Sequence, residues 1–261
     1  WYIEDLLVGQ GGKVSGCHGL VEPDRVAGIL FEPVMAEGGN WIPPGNFIFG
    51  LRKLADKYDW LLIADEVLSG FGRTGKMWAI EHWGIDVDLM PIAKGMTGGL
   101  MPIAALMGSE EVMAETKAYS GSTFAGHPAG CAATLKTIEI LEKQKLPERA
   151  AKLGGKALKR MKEWVDDYEI VGDARGLGFL LGISILNKKT KELDANVAKA
   201  VFHEAVRNGV YPIWDSEPNI RIYPALTIEE DLLNKGLTLI EKAIEKVQKM
   251  KHIPTIPEPE D

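Results

Sequence analysis

The chain has 261 residues, 46% of them hydrophobic and 26% charged, the proportions of a globular protein with one sizeable core or two smaller ones. Thirty Lys and Arg against 37 Asp and Glu give a net charge of −7 with no basic block, which argues against nucleic acid and anionic membrane as partners. No apolar run approaches the ~20 residues that span a bilayer, and two distant cysteines, Cys17 and Cys131, form neither a disulfide framework nor a metal-ligand spacing, as expected for a cytoplasmic protein.

Val26 to Phe31 is a continuous apolar run, read as a buried parallel strand that ends in Glu32-Pro33. Pro43-Pro44-Gly45 marks a loop, and Asn46 to Tyr58 carries Phe49, Leu51, Leu54, Ala55 and Tyr58 at helical spacing. A strand from Leu61 to Val67 follows, so strand, helix and strand form a βαβ unit and predict a parallel sheet with helices on its faces. Asp88 to Ala93 is a short run leading to Lys94, and Pro102 to Met107 reads as another buried strand, entered through Gly98-Gly99. A helix is expected from Pro128, with Ala132, Leu135, Ile138 and Leu141 three residues apart, and a second from Glu148 to Trp164.

Between these helices, near 145, lies the expected domain boundary, with 1–145 forming a large α/β domain and 146–261 a small one. The remainder reads as a strand (Gly178 to Leu186), a helix (Asn196 to Asn208), two short strands (Val210 to Ile213 and Ile220 to Tyr223) and a final helix (Ile228 to Lys249). That is a small α+β domain. Pro254 to Asp261 is proline-rich and acidic, an extended surface tail. The chain begins at Trp1 with no signal-like segment, and reads as the C-terminal part of a longer polypeptide.

Chemistry enters at Leu61-Leu62-Ile63-Ala64-Asp65-Glu66-Val67, an apolar run that delivers two acids where an open α/β sheet hands carboxylates to a ligand crevice. Lys94 follows twenty-nine residues after Asp65, between the small residues Ala93 and Gly95, where a bulky cofactor can reach its amine. Together they suggest a pyridoxal-phosphate site, with Lys94 as the amine that binds the cofactor and Asp65 as the partner of its pyridine nitrogen. Taken singly, Asp65 also suits a helix N-cap and Lys94 a solvated surface.

The surrounding text decides between these. Gly70-Phe71-Gly72-Arg73-Thr74-Gly75-Lys76-Met77-Trp78-Ala79, then Glu81-His82-Trp83-Gly84-Ile85, Asp86-Val87-Asp88 and Lys94, and later Gly121-Ser122-Thr123-Phe124-Ala125-Gly126-His127-Pro128, resemble the class III (fold type I) aminotransferases, in order and at near-identical spacing. The resemblance runs from about Phe31 to about Thr227. It implies the C-terminal part of a mainly parallel-sheet large domain plus a small α+β domain, with pyridoxal 5'-phosphate as cofactor. Lys94 would hold the cofactor and move the substrate proton, Asp65 would keep the pyridine nitrogen protonated, and Val67 would pack on a ring face if the strand continues to it. Thr123, in a Gly-Ser-Thr turn, would reach the cofactor phosphate of a neighbouring subunit, which implies a homodimer with shared sites. Family members carry the phosphate-cradling Gly/Ser loop and a ring-stacking aromatic in an N-terminal half, and neither is evident here. The expected partner is therefore that N-terminal half of the same polypeptide; a catalytically empty half that serves only in assembly is the non-enzymatic alternative.

Substrate choice falls to Arg221, in Asn219-Ile220-Arg221-Ile222-Tyr223-Pro224, and Glu37, in Glu32-Pro33-Val34-Met35-Ala36-Glu37-Gly38-Gly39. Both match the 4-aminobutyrate and ornithine aminotransferase branch, where the arginine clamps the α-carboxylate of glutamate or 2-oxoglutarate and the glutamate neutralises it for an ω-amino substrate. Met35 and Leu68 stand where that branch commonly has glutamines. Lys76 to Gly84 looks more like the ω-amino acid:pyruvate branch, although Tyr211 stands about where that branch commonly has an arginine. The expected reaction is transamination of a 4-aminobutyrate-like donor with 2-oxoglutarate, the alternatives being pyruvate as acceptor or an amino-acid racemase on the same scaffold. Arg175, in Arg175-Gly176-Leu177-Gly178, reads as structural, and the histidines show no metal pattern.

Overall fold

The computed structural model describes Glu4 and residues 21–114, 122–215, 217–251 and 253, so Cys17 and the expected tail from Pro254 lie outside the described residues. The chain groups into two compact units, one of Trp1–Pro33, Pro43–Leu68 and Ile80–Lys136, the other of Val34–Ile42, Ser69–Ala79 and Thr137–Asp261.

In the first unit, β1 (Gly28–Phe31) and β2 (Leu61–Ala64) run parallel in the register Gly28↔Leu61 to Phe31↔Ala64. They approach so closely that a Cβ on Gly28 would lie 2.6 Å from the Leu61 carbonyl oxygen, which keeps that position glycine. Between them α1 (Phe47–Tyr58) stops where Asp59 turns left-handed, at φ +57°, and donates its N–H to the Ala55 carbonyl. Leu51, Leu54 and Ala55 of α1 bury themselves against Trp60 and Leu62, with Ile29 and Phe31 of β1 packed alongside. Each of the buried leucines contributes about 1.5–3 kcal/mol of burial, and this is what lays the helix on the sheet.

β3 (Leu89–Ile92) joins β2 in parallel through Ile63↔Leu89, and β4 (Ala105–Gly108) closes the order β1-β2-β3-β4 antiparallel to β3. The expected buried strand from Pro102 to Met107 is thus shorter and later, and it is not buried: Leu106 is 51% exposed. Antiparallel pairing at an edge of the described sheet leaves it covered on fewer sides than a central parallel strand. The short α2 (Glu110–Ala114) and α3 (Pro128–Lys143) follow.

The second unit holds α4 (Leu146–Asp167), the antiparallel sheet of β5 (Val171–Leu177), β6 (Leu180–Ile185) and β7 (Asn219–Ile222), α5 (Ala195–Arg207) and α6 (Glu230–Gln248). Its core joins Met161 and Trp164 of α4, Leu181, Ile183 and Ile185 of β6, Val201 of α5, Ile220 of β7, and Leu237 and Ile244 of α6. Asp194 caps α5, its carboxylate accepting from the N–H groups of Asn196 and Val197 at 2.8 and 3.1 Å. The strand expected from Gly178 starts only at Leu180, because Gly178, at φ +54°, makes the turn from β5. Of the strand expected at Val210 to Ile213, a single bridge from Ile213 to Arg221 forms. Among the described residues no helix is long and apolar enough to cross a membrane, and no three metal-ligating side chains cluster.

Two neighbouring glycines on α4 make opposite predictions. A Cβ at Gly155 would meet nothing within 4 Å, whereas one at Gly154 would lie 1.9 Å from the Gly178 carbonyl oxygen in the β5–β6 turn. Gly155→Ala is expected to stabilise the protein by up to about 1 kcal/mol, the helix-propensity gain. Gly154→Ala is expected to destabilise it by about 2 kcal/mol or more, since backbone rather than a side-chain tip must move. Parallel thermal melts decide; shifts of the same sign would refute the backbone-to-backbone packing.

Candidate active site

In the first unit, the ladder continues one step past β2. Asp65 donates its N–H to the Phe31 carbonyl on β1 at 2.8 Å, and Glu66 donates to the Pro91 carbonyl on β3 at 3.1 Å. The two acids then diverge. Glu66 is fully buried, its carboxylate accepting from the Ile80 N–H at 2.7 Å, a structural use. Asp65 is half-buried at the C-terminal end of the parallel strands, and one of its oxygens accepts from the Val67 N–H at 2.9 Å. Val67 therefore opens a turn rather than extending the strand, and the Asp65 carboxylate, not strand alternation, sets its position.

Lys94 issues from the end of the neighbouring strand, β3. It has φ +44°, left-handed for a non-glycine residue, at the start of a single 3-10 turn over Lys94–Thr97. The surroundings hold that conformation: the buried Thr97 hydroxyl donates to the Met101 carbonyl at 2.7 Å, and Gly98 closes the turn at φ +63°. The Lys94 side chain is exposed and lines an open cleft of about 710 Å³, together with Ala93, Met101 to Leu106, Ser122, Phe124 and Ala125. Thr123 lies in the turn between two of these lining residues and is itself exposed; the Ala125 N–H donates to the Ser122 carbonyl there at 3.0 Å. Asp65 and Val67 do not line this cleft.

These residues fit a pyridoxal phosphate group. An accessible amine between small residues, a carboxylate on the adjacent parallel strand end and a cleft in the ordinary range of cofactor sites are what it requires. A left-handed lysine costs about 1–3 kcal/mol, an expense consistent with a site that must aim that amine.

The second unit assembles the other predicted pair. Arg221 lies mid-strand on β7, buried. Its Nη1 donates to the Ala36 carbonyl at 3.2 Å and its Nη2 to the Asp215 carboxylate. The Tyr223 hydroxyl also donates to the Ala36 carbonyl, at 3.3 Å, and bonds the side-chain oxygen of the fully buried Asn40. Burial pushes the Tyr223 phenol above its ordinary value, against the pull of Arg221. The turn Ala36–Gly39 is thereby fastened to β7 and brings Glu37 within one residue of an Arg221 acceptor. Glu37 itself is exposed and makes no ion pair among the described residues.

Arg175 of β5 fastens the same loop from the other side. It donates to the Gly39 carbonyl at 2.7 Å, to Asp173 at 2.8 Å, to Ser184 at 2.7 Å and to Asn219 at 2.8 Å, with its guanidinium 3.6 Å from the centre of the Trp41 ring. The Gly70–Ala79 text is likewise scaffolding: Gly72 and Gly75 sit at φ +85° and +98°, and the Phe179 N–H donates to the Arg73 carbonyl at 2.8 Å. Asp215, absent from the sequence-based set, had one available signal. Antiparallel pairing of the two short strands expected at 210–213 and 220–223 carries their connection, with Asp215 in it, past Arg221.

A family model described as class-III aminotransferase matches residues 16–244. The chain is 37% identical over 233 residues to a leucine/methionine racemase of Thermococcus litoralis, covering 88% of this chain and 52% of the relative. It is 40% identical over 223 residues to an acetylornithine aminotransferase of Methanothermobacter thermautotrophicus (85% and 54%), and 38% over 229 residues to a 5-aminovalerate aminotransferase of Pseudomonas putida (87% and 54%). The chain thus spans about half the length of the curated relatives it matches. Among solved structures, an amine transaminase from an uncultivated Pseudomonas species in its pyridoxal-phosphate-bound form superposes with a TM-score of 0.81 at 32% identity, over 86% of this chain and 53% of that one. With its α/β unit and its α+β unit, the chain belongs to the class-III aminotransferases, a pyridoxal 5'-phosphate-dependent family.

Proposed function

We propose that the protein carrying this chain transfers an amino group from a 4-aminobutyrate-like ω-amino acid to 2-oxoglutarate. The observation that carries the reading is the delivery of Asp65 and an exposed Lys94 by the C-terminal ends of adjacent parallel strands. When bound, pyridoxal 5'-phosphate supplies an electron sink for the bond broken at the amino-bearing carbon. Lys94 Nζ holds the cofactor and carries the proton to and from that carbon. The Asp65 carboxylate keeps a protonated ring nitrogen charged by proximity, and Val67, set in the turn that the same carboxylate holds rather than on the strand, packs on a ring face. Thr123 serves the phosphate of a partner subunit in a homodimer, and the phosphate loop and stacking aromatic come from an N-terminal half of the same polypeptide. In this reading 1–145 is the C-terminal part of the cofactor-binding domain, 146–261 is the small domain, and the enzyme works in the cytoplasm.

Arg221 grips the carboxylate of the acceptor, and Glu37 stands one residue from that arginine's backbone anchor. Likeness to a 5-aminovalerate aminotransferase supports an ω-amino donor. A second reading, an amino-acid racemase, draws on the leucine/methionine racemase relative: Lys94 reprotonates the same carbon, and a proton delivered to its opposite face gives the mirror image with no keto acid needed.

The test is the holoenzyme with 4-aminobutyrate against 2-oxoglutarate and pyruvate, alongside chiral analysis of L-leucine and L-methionine without keto acid. Turnover with 2-oxoglutarate is expected, together with a fall of about 10²-fold or more in its kcat/KM in Arg221→Ala, the loss of a buried charge-paired grip. Pyruvate turnover insensitive to Arg221, or racemisation alone, would replace the proposal by its alternatives.

A further inference from the structure

We propose that Asp215 is the internal carboxylate that occupies Arg221 between substrates, so that Asp215, rather than Glu37, sets how strongly the site favours a second carboxylate. The inference rests on the reading of Arg221 as the acceptor clamp. A guanidinium presents Nε–H and one Nη2–H along a single edge, which a carboxylate takes bidentately. In Arg221 that edge is half filled: Nη2 donates to Asp215, while Nε is buried and has no acceptor among the described residues. Nη1 is spent on the Ala36 carbonyl at 3.2 Å. An incoming carboxylate gains both hydrogen bonds of the edge by displacing one acid.

The acid in place is suited to leave. The side chain of Arg221 is 6% exposed and that of Asp215 is 36% exposed, in the connection between the Ile213 bridge and β7. Released, Asp215 returns to water at little cost, whereas a buried arginine left with no anion is strongly unfavourable. The pair therefore supports substrates that bring no second carboxylate and yields to those that do. Asp215 acts through Arg221 and is a positioning residue.

The test compares the wild-type holoenzyme with Asp215→Asn, Asp215→Glu, Glu37→Gln and Arg221→Ala. Asp215→Asn is expected to lower the KM for 2-oxoglutarate about tenfold with little change in kcat, and to raise the KM for 4-aminobutyrate about tenfold, each roughly one decade of pairing energy. The calorimetric Kd of glutarate, a dicarboxylate that does not react, tightens in parallel. Asp215→Glu keeps the charge and restores the wild-type selectivity, and the selectivity swing in Glu37→Gln is expected to be smaller than that in Asp215→Asn. A selectivity swing in Glu37→Gln with none in Asp215→Asn overturns the proposal, as does a uniform loss on both substrates accompanied by a lower Tm. If Arg221→Ala leaves 2-oxoglutarate untouched, the clamp reading falls first and this inference with it.

Discussion

Replacing Lys94 by alanine is expected to leave a folded holoenzyme-sized protein with turnover reduced at least about 10³-fold, the combined loss of a covalent anchor and a proton carrier. The prediction separates chemistry from packing because the side chain is exposed and lines the cleft rather than a core. Alanine inherits the same φ of +44°, so neither relief nor new strain in the backbone distorts the comparison. The melting temperature should move by no more than a few degrees. Lys94→Arg is expected to fail as completely, since a guanidinium keeps the charge but cannot give up its proton. Borohydride treatment followed by peptide mass analysis should fix cofactor mass on the peptide containing Lys94 in the wild type and on no peptide in Lys94→Ala. Retained turnover in the alanine variant would remove Lys94 from the chemistry altogether.

Lys94 and Asp65 stood out in the sequence because each follows a short apolar run amid motifs that match the family, and both lie just past the ends of adjacent parallel strands, where a fold of this class exposes side chains to ligands. The helix expected from Asn46 to Tyr58 forms over Phe47–Tyr58 for an equally local reason: its apolar positions repeat at helical spacing and Asp59 can turn left-handed. β5 was illegible because Val171–Leu177 contains Gly172, Asp173, Arg175 and Gly176, residues that local propensity assigns to a loop. Its glycines answer to neighbours distant in sequence or adjacent across the hairpin. A Cβ at Gly176 would lie 2.2 Å from the Leu180 carbonyl oxygen, and one at Gly172 would lie 2.8 Å from the Leu186 side chain. Asp215 hid for a related reason, since an acid in a short connection looks solvated until the arginine across the bridge is known. The pattern is physical: periodicity reports where a local element forms, while which face is buried, close backbone approach and buried ion pairs depend on partners that the local text does not contain.

Arg175→Ala should destabilise the protein by about 3–5 kcal/mol, the range for breaking a buried charged network by removing one partner. The guanidinium holds four acceptors, Gly39, Asp173, Ser184 and Asn219, and stacks on Trp41. Burial draws its pKa down, against the pull of Asp173, yet an arginine keeps its charge at any physiological pH. Truncation leaves the Gly39 carbonyl without its charged donor and strips one partner from the Asn219 oxygen, which keeps only the Ser184 hydroxyl at 3.1 Å. For a unit of this size that loss corresponds to roughly 10 °C in Tm. Lysine should recover little of it, because one ammonium cannot reach four diverging acceptors or stack flat on an indole. Since Arg175 and Arg221 hold the same turn, through Gly39 and Ala36, the variant should also weaken 2-oxoglutarate binding at temperatures where the protein is still folded. Denaturant titration and acceptor KM on one preparation test both halves. A Tm shift below about 2 °C would mean that the loop is held by the Asn40 and Tyr223 contacts alone, and that the arginine network is incidental to it.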